Sequence, residues 1–168
     1  AADSIPWHPS VRALLAFPDL LYRMDESPQW ITDLGAAFLA QELQVMDTVQ
    51  GLRHRAEASG YLQPSEHYVL QRQGQAIAIY PAQPQVIYIP YYDPYVVYGP
   101  WRWPSHRPVY WRPWYARPAV FVSVNFFSGG LDWHRRHVTH VAPTQVVIRQ
   151  THPVSPYHLA TPAPRPIP

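Results

Sequence analysis

The stretch SPQWITDLGAAFLAQELQVMDTVQGLRHRAEASG, residues 27 to 60, carries the longest helical period in the chain. Ser27 and Pro28 form a cap and first-turn pair, because proline lacks only an N–H that the first turn leaves unused. Gly60 is the natural stop. Ile31, Leu34, Phe38, Val45, Val49, Leu52 and Ala56 recur at steps of three, four and seven and draw one apolar stripe. Leu39, Leu43 and Met46 form a second stripe, so this helix is expected to be covered on more than one side.

Working outward, the upstream residues are helical as well. Ser10 suits the cap of a short helix running to Phe17, and Pro18 suits the first turn of another. Downstream the period changes from 3.6 to 2. His67 to Arg72, a turn at Gln73-Gly74 and Gln75 to Tyr80 predict a hairpin. Gln85 to Ile89, closed by Pro90, predicts a third strand of the same small antiparallel sheet. Ala119 to Phe127 alternates enough for a strand, with Gly129-Gly130 ending it, and Gln145 to Gln150 has the pattern of another. The expected fold class is α+β. It comprises a helical segment over residues 1–62, then a small β-sheet with an aromatic, proline-rich strap over 63–133, in one domain with the helices. A His/Pro-rich C-terminal arm takes up 134–168.

The strap is the most unusual composition in the chain. Between Tyr88 and Tyr115 there are eleven tyrosines and tryptophans and six prolines, and Arg107, Arg112 and Arg117 are each followed by proline. Proline holds a backbone extended without donating hydrogen bonds, rings offer apolar faces with one polar tip, and arginine stacks on rings. The proline spacing predicts an extended segment with no regular helix or central strand.

Charge and cysteine content narrow the classes. All thirteen basic residues are arginine, the formal charge is +2, and there is no cysteine. So small an excess leaves little counterion release to drive nucleic-acid binding. Disulfides and thiolate metal sites are excluded. No apolar run reaches the roughly 18 residues of a membrane span. The chain opens with Ala1-Ala2-Asp3 and no methionine, which suggests that an upstream segment was removed.

Several runs together resemble a known family. They are Trp7-His8-Pro9-Ser10-Val11-Arg12-Ala13-Leu14-Leu15-Ala16-Phe17-Pro18-Asp19-Leu20-Leu21, Trp30 to Gln41, Val45 to Arg53, Pro84-Gln85-Val86-Ile87-Tyr88-Ile89-Pro90-Tyr91-Tyr92-Asp93-Pro94, Val97 to Trp101 and Leu131-Asp132-Trp133. They are similar to the bacterial domain-of-unknown-function family numbered 3300. The resemblance implies an exported envelope protein of Gram-negative bacteria and supplies no activity, cofactor or catalytic residue. Members usually carry a further helical segment ahead of the tryptophan matched by Trp7.

Catalytic constellations are sparse. No serine sits in a nucleophile elbow and no glycine-rich loop follows a strand. Asp93 precedes Pro94, where aspartate ordinarily sets a turn. The nearest approach to a metal site is His134, His137 and His140, with His152 and His158 further on, and its spacing suits a polar loop equally. No cofactor is expected.

The expected function is therefore contact. Candidate interface residues are Tyr91, Tyr92, Tyr95, Tyr98, Trp101, Trp103, Tyr110, Trp111, Trp114 and Tyr115, together with Arg107, Arg112 and Arg117, since these residue types dominate interface hot spots. Val146 and Ile148 give the arm a strand-like face suited to a neighbour's sheet edge. These features predict a non-enzymatic extracytoplasmic subunit that self-associates, with rings or filaments as the geometric outcomes. The alternative is a module that binds envelope glycan or metal.

Overall fold

The computed structural model describes residues 7–88, 93–101, 103–105, 120–122 and 129–140. Helix α1 (Pro9–Ala13) runs through a 3-10 turn (Leu14–Ala16) into α2 (Pro18–Asp25), and α3 spans Pro28–Ala58. Proline opens all three at a first-turn position. The cap of α1 is His8 and not Ser10: the His8 ring accepts the Ser10 N–H, and Ser10 lies inside the helix. Ser27 makes no side-chain cap, so Pro28 alone sets the start of α3. At the other end the Tyr61 N–H donates to the Ala56 carbonyl at 2.8 Å and the Gly60 N–H to Glu57 at 2.9 Å. That pair of bonds is a Schellman closure around the expected glycine.

The two apolar stripes of α3 are not both buried. Its backbone leaves helical geometry at Gln41 (φ −151°, ψ 53°), which breaks the periodicity that the stripes assume. Met46 and Ala56 are buried, whereas Leu39 is 88% exposed and Leu43 is exposed too. The second stripe therefore contributes Met46 to the core and leaves two leucines outside it.

Strands β1 (Tyr68–Gln73) and β2 (Ala76–Pro81) form the expected antiparallel hairpin. Its turn is Gly74-Gln75, one residue later than Gln73-Gly74, because the register closes at Gln73 opposite Ala76. Gly74 stands at φ +62°, a conformation that the first loop position of a primed turn requires and a Cβ would penalise. Strand β3 (Val86–Ile87) does not join this hairpin. It pairs instead with β4 (Val120–Phe121), and the Val122 N–H extends the ladder to the Gln85 carbonyl. Helix α4 (Pro94–Tyr98) intervenes between them.

Gly129-Gly130 opens a strand where an ending was expected. Strands β5 (Gly129–Asp132) and β6 (His137–His140) form a second hairpin with a four-residue loop. Gly130 suits its position because a Cβ there would press on the Thr139 hydroxyl at 3.0 Å. That hydroxyl accepts the Gly130 N–H and donates to its carbonyl, clasping the ribbon across one pair. The described β-structure is thus three two-stranded ribbons rather than one sheet, arranged on a helical layer.

Two apolar clusters hold the layers together. Ala16 and Phe17 pack on Val122 with Leu20, Ile87 and Val120 around them, seating the first helices on the β3/β4 ribbon. Met46, Ala78 and Trp133 form the other, flanked by Phe38, Val49 and Ala76, so α3 covers both hairpins from one side. A ribbon of two strands is marginal alone, and each of these depends on its helix for burial.

Candidate functional site

Two regions use polar and aromatic side chains in an organised way. The first is the face of α3 that receives the hairpins. Gln50 behaves there like the peptide unit of a neighbouring strand: it accepts the Ile77 N–H at 2.8 Å and donates to the Ile77 carbonyl at 3.2 Å. Arg53 donates to the same carbonyl at 2.6 Å and lies over the Trp133 ring, 4.4 Å from its centroid. Trp133 is only 7% exposed. Around it, Glu42 accepts the Val138 N–H at 2.7 Å and pairs with the His137 ring at 3.0 Å, and Asp47 pairs with Arg136 at 2.8 Å. The Val138 N–H first, and the His137 ring second, hold the Glu42 carboxyl below its ordinary value. In the loop, Asp132 accepts the Arg135 N–H at 2.9 Å and Arg136 takes a left-handed φ of +55°. This region is a docking clamp for the β5/β6 hairpin.

The second region is the described part of the strap. Asp93 caps α4 by accepting the Tyr95 N–H at 2.8 Å, and Pro94 occupies the first turn. The expectation of no regular helix in the strap is thereby corrected: proline at the first helical position removes no needed donor, so one short helix fits between the prolines. Gly99 ends it, and α4 lies against α3 with Val97 buried. Tyr88, the first ring of that run, packs tilted against His67 with centroids 4.1 Å apart. Tyr98 is half-buried, while Tyr95 and Val96 are exposed.

Beyond α4 the two tryptophans meet edge to face, with centroids 5.1 Å apart and planes at 64°. The Trp101 indole N–H donates to the Trp103 carbonyl at 2.7 Å, which fixes the pair. Trp101 is 44% and Trp103 52% exposed. Indoles held this way present fixed apolar faces to whatever approaches.

Of the other expected site residues, Tyr91, Tyr92, Arg107, Tyr110, Trp111, Arg112, Trp114, Tyr115, Arg117, Val146 and Ile148 lie outside the described residues, as do His152 and His158. His134 is exposed in the loop, His137 is engaged by Glu42, and His140 closes β6. Among the described residues no group of three or more His, Asp or Glu side chains is arranged to hold a metal ion. Gln50, Arg53 and Glu42 were not singled out from sequence. Their one legible signal is polarity at positions bordering the apolar stripe.

The comparison with known families agrees with the resemblance that these sequence runs carry. The family model described as "Protein of unknown function (DUF3300)" matches residues 1–160. This chain belongs to that family. A relative of this DUF3300 chain, the "Uncharacterized protein YacH" of Escherichia coli strain K12, is 38% identical over 160 residues. The match takes in 76% of this chain and 26% of that relative, so the chain corresponds to about a quarter of its length. No solved structure matches this DUF3300 chain. No helix among the described residues is long and apolar enough to cross a membrane.

Proposed function

We propose that this chain works by contact rather than catalysis, as an envelope component of Gram-negative bacteria that associates with copies of itself through its aromatic strap and C-terminal arm. The observation that carries the reading is the Trp101–Trp103 pair: two large rings, fixed against each other, leave about half their surface uncovered. Fully burying one such side chain is worth roughly 3 to 4 kcal/mol at about 25 cal/mol per Å². Leaving the two about half exposed forgoes roughly half of that gain for each unless another surface supplies it. Leu39, Leu43, Tyr95 and Val96 add further exposed apolar area on α3 and α4. Tryptophan and tyrosine are also the residues from which interface hot spots are built.

Deleting residues 141–168 tests the arm's share in assembly. A smaller particle by light scattering is expected, with the fold retained by circular dichroism; an unchanged particle size contradicts a role for the arm in assembly. Electron microscopy of the native particle then separates closed rings from filaments.

The same pair favours one alternative. Fixed, half-exposed indole faces also suit stacking on sugar rings, so glycan binding is the second reading. Quenching of tryptophan fluorescence by soluble envelope glycans, lost in a W101A/W103A variant, is its signature.

A further inference from the structure

The two outer edges of the β1/β2 hairpin are treated differently by the fold. With Gln73 opposite Ala76 across a two-residue loop, hydrogen-bonded and non-hydrogen-bonded pairs alternate along the ladder. Gln73, Gln71 and Val69 point their backbone groups at β2, and the Ala82 N–H to His67 carbonyl bond continues the same phase. Tyr68, Leu70 and Arg72 on β1, and Ile77 and Ile79 on β2, therefore aim their N–H and C=O groups outward.

The β2 edge is largely closed. Gln50 and Arg53 take both groups of Ile77, and Pro81 has no N–H to offer, which leaves Ile79 as the one residue of β2 with an outward pair unengaged by a described residue. On the β1 edge the Tyr68 carbonyl accepts the Ser65 N–H at 3.1 Å. Beyond it, the backbone groups of Leu70 and Arg72 make no hydrogen bond to any described residue. Among the described residues, an edge that native proteins ordinarily blunt keeps two donors and two acceptors in a row.

We propose that β1 pairs antiparallel with β1 of a second copy, Leu70 lying opposite the partner's Arg72, which joins the two hairpins into one four-stranded sheet. The arrangement is self-complementary. A two-fold axis through Gln71 lets the N–H and C=O groups of Leu70 and Arg72 close four hydrogen bonds with their equivalents, each residue meeting the same patch on its partner. The charge pattern allows it, because each Arg72 is held by Glu57 of its own chain and faces a leucine across the seam. The proposal rests on the self-association reading and adds a second surface to it.

A single cysteine tests it, since the chain has none of its own. Gln71 would face its own copy in a non-hydrogen-bonded pair, where Cα atoms lie about 4.5 Å apart, within the reach of a disulfide. Val69 would face the partner's Gln73 and lie far from its own copy. The expected result is that Q71C forms a covalent dimer on non-reducing gels after mild oxidation and V69C stays monomeric. Both residues are exposed, and retention of the fold is followed by circular dichroism. Failure of Q71C to cross-link, or equal cross-linking of both variants, overturns the pairing. If Q71C fails while light scattering still gives a multimer of the native chain, the β1 seam falls and self-association stands. If the native chain scatters as a single copy, both fall.

Discussion

Arg53 stacks on Trp133, and through that contact the long helix holds a hairpin that begins some seventy residues later in the chain. Trp133 fills the cluster with Met46 and Ala78, so its loss removes both a cation–π partner and apolar volume. W133A is expected to destabilise the fold by about 3 to 5 kcal/mol. It should also release protection of the β5/β6 amides first in hydrogen exchange. Uniform loss of protection across all ribbons would show that the hairpin is not a separately held unit.

Gln50 serves the Ile77 backbone on both its groups, and Ile77 is fully buried. Truncation to alanine leaves a buried N–H without a partner, a cost of about 1 to 3 kcal/mol. Chemical denaturation of Q50A should read that loss as a lower midpoint with an unchanged slope.

Acid should loosen the β5/β6 hairpin through Glu42. Its folded-state pKa is depressed, chiefly by the Val138 N–H and next by His137, so the stabilisation is present above the unfolded value and is lost as pH falls through the folded one. The window opens near the ordinary glutamate value of about 4.3 and extends below it. The difference in melting temperature between the native chain and E42Q is expected to be largest near neutrality and to shrink below that value. A difference independent of pH would place the role of Glu42 elsewhere.

Gly130 and Thr139 form a tight clasp, and a methyl group at Gly130 would press on the hydroxyl at 3.0 Å. G130A is expected to cost about 1 kcal/mol or somewhat more, in the range of overpacking. T139A should relieve part of that cost, and the double-mutant cycle measures the coupling between the two.

The sequence made the long helix and the first hairpin legible because each rests on local signals. Pro28 and Gly60 mark the ends of α3, and Gly74 supplies the turn between β1 and β2. What it hid depends on tertiary context. Leu39 and Leu43 match the helical period, but the break at Gln41 falls between them and neither is buried. Trp133 sits beside His134, Arg135, Arg136 and His137, so its neighbourhood reads as a polar loop although the ring itself is core. Proline spacing concealed α4, because Asp93-Pro94 is a breaker by composition and a helix start by position. The pairing of β3 with β4 spans the strap, and no local pattern announces a partner that distant.

The exposed Trp101–Trp103 pair carries the central claim, and the mass of the chain in solution tests it most directly. Light scattering coupled to size exclusion should give a multiple of the single-chain mass for the native protein. For W101A/W103A it should fall to a smaller species, with the circular dichroism spectrum kept. A single-chain mass for the native protein at the same concentration would contradict the account.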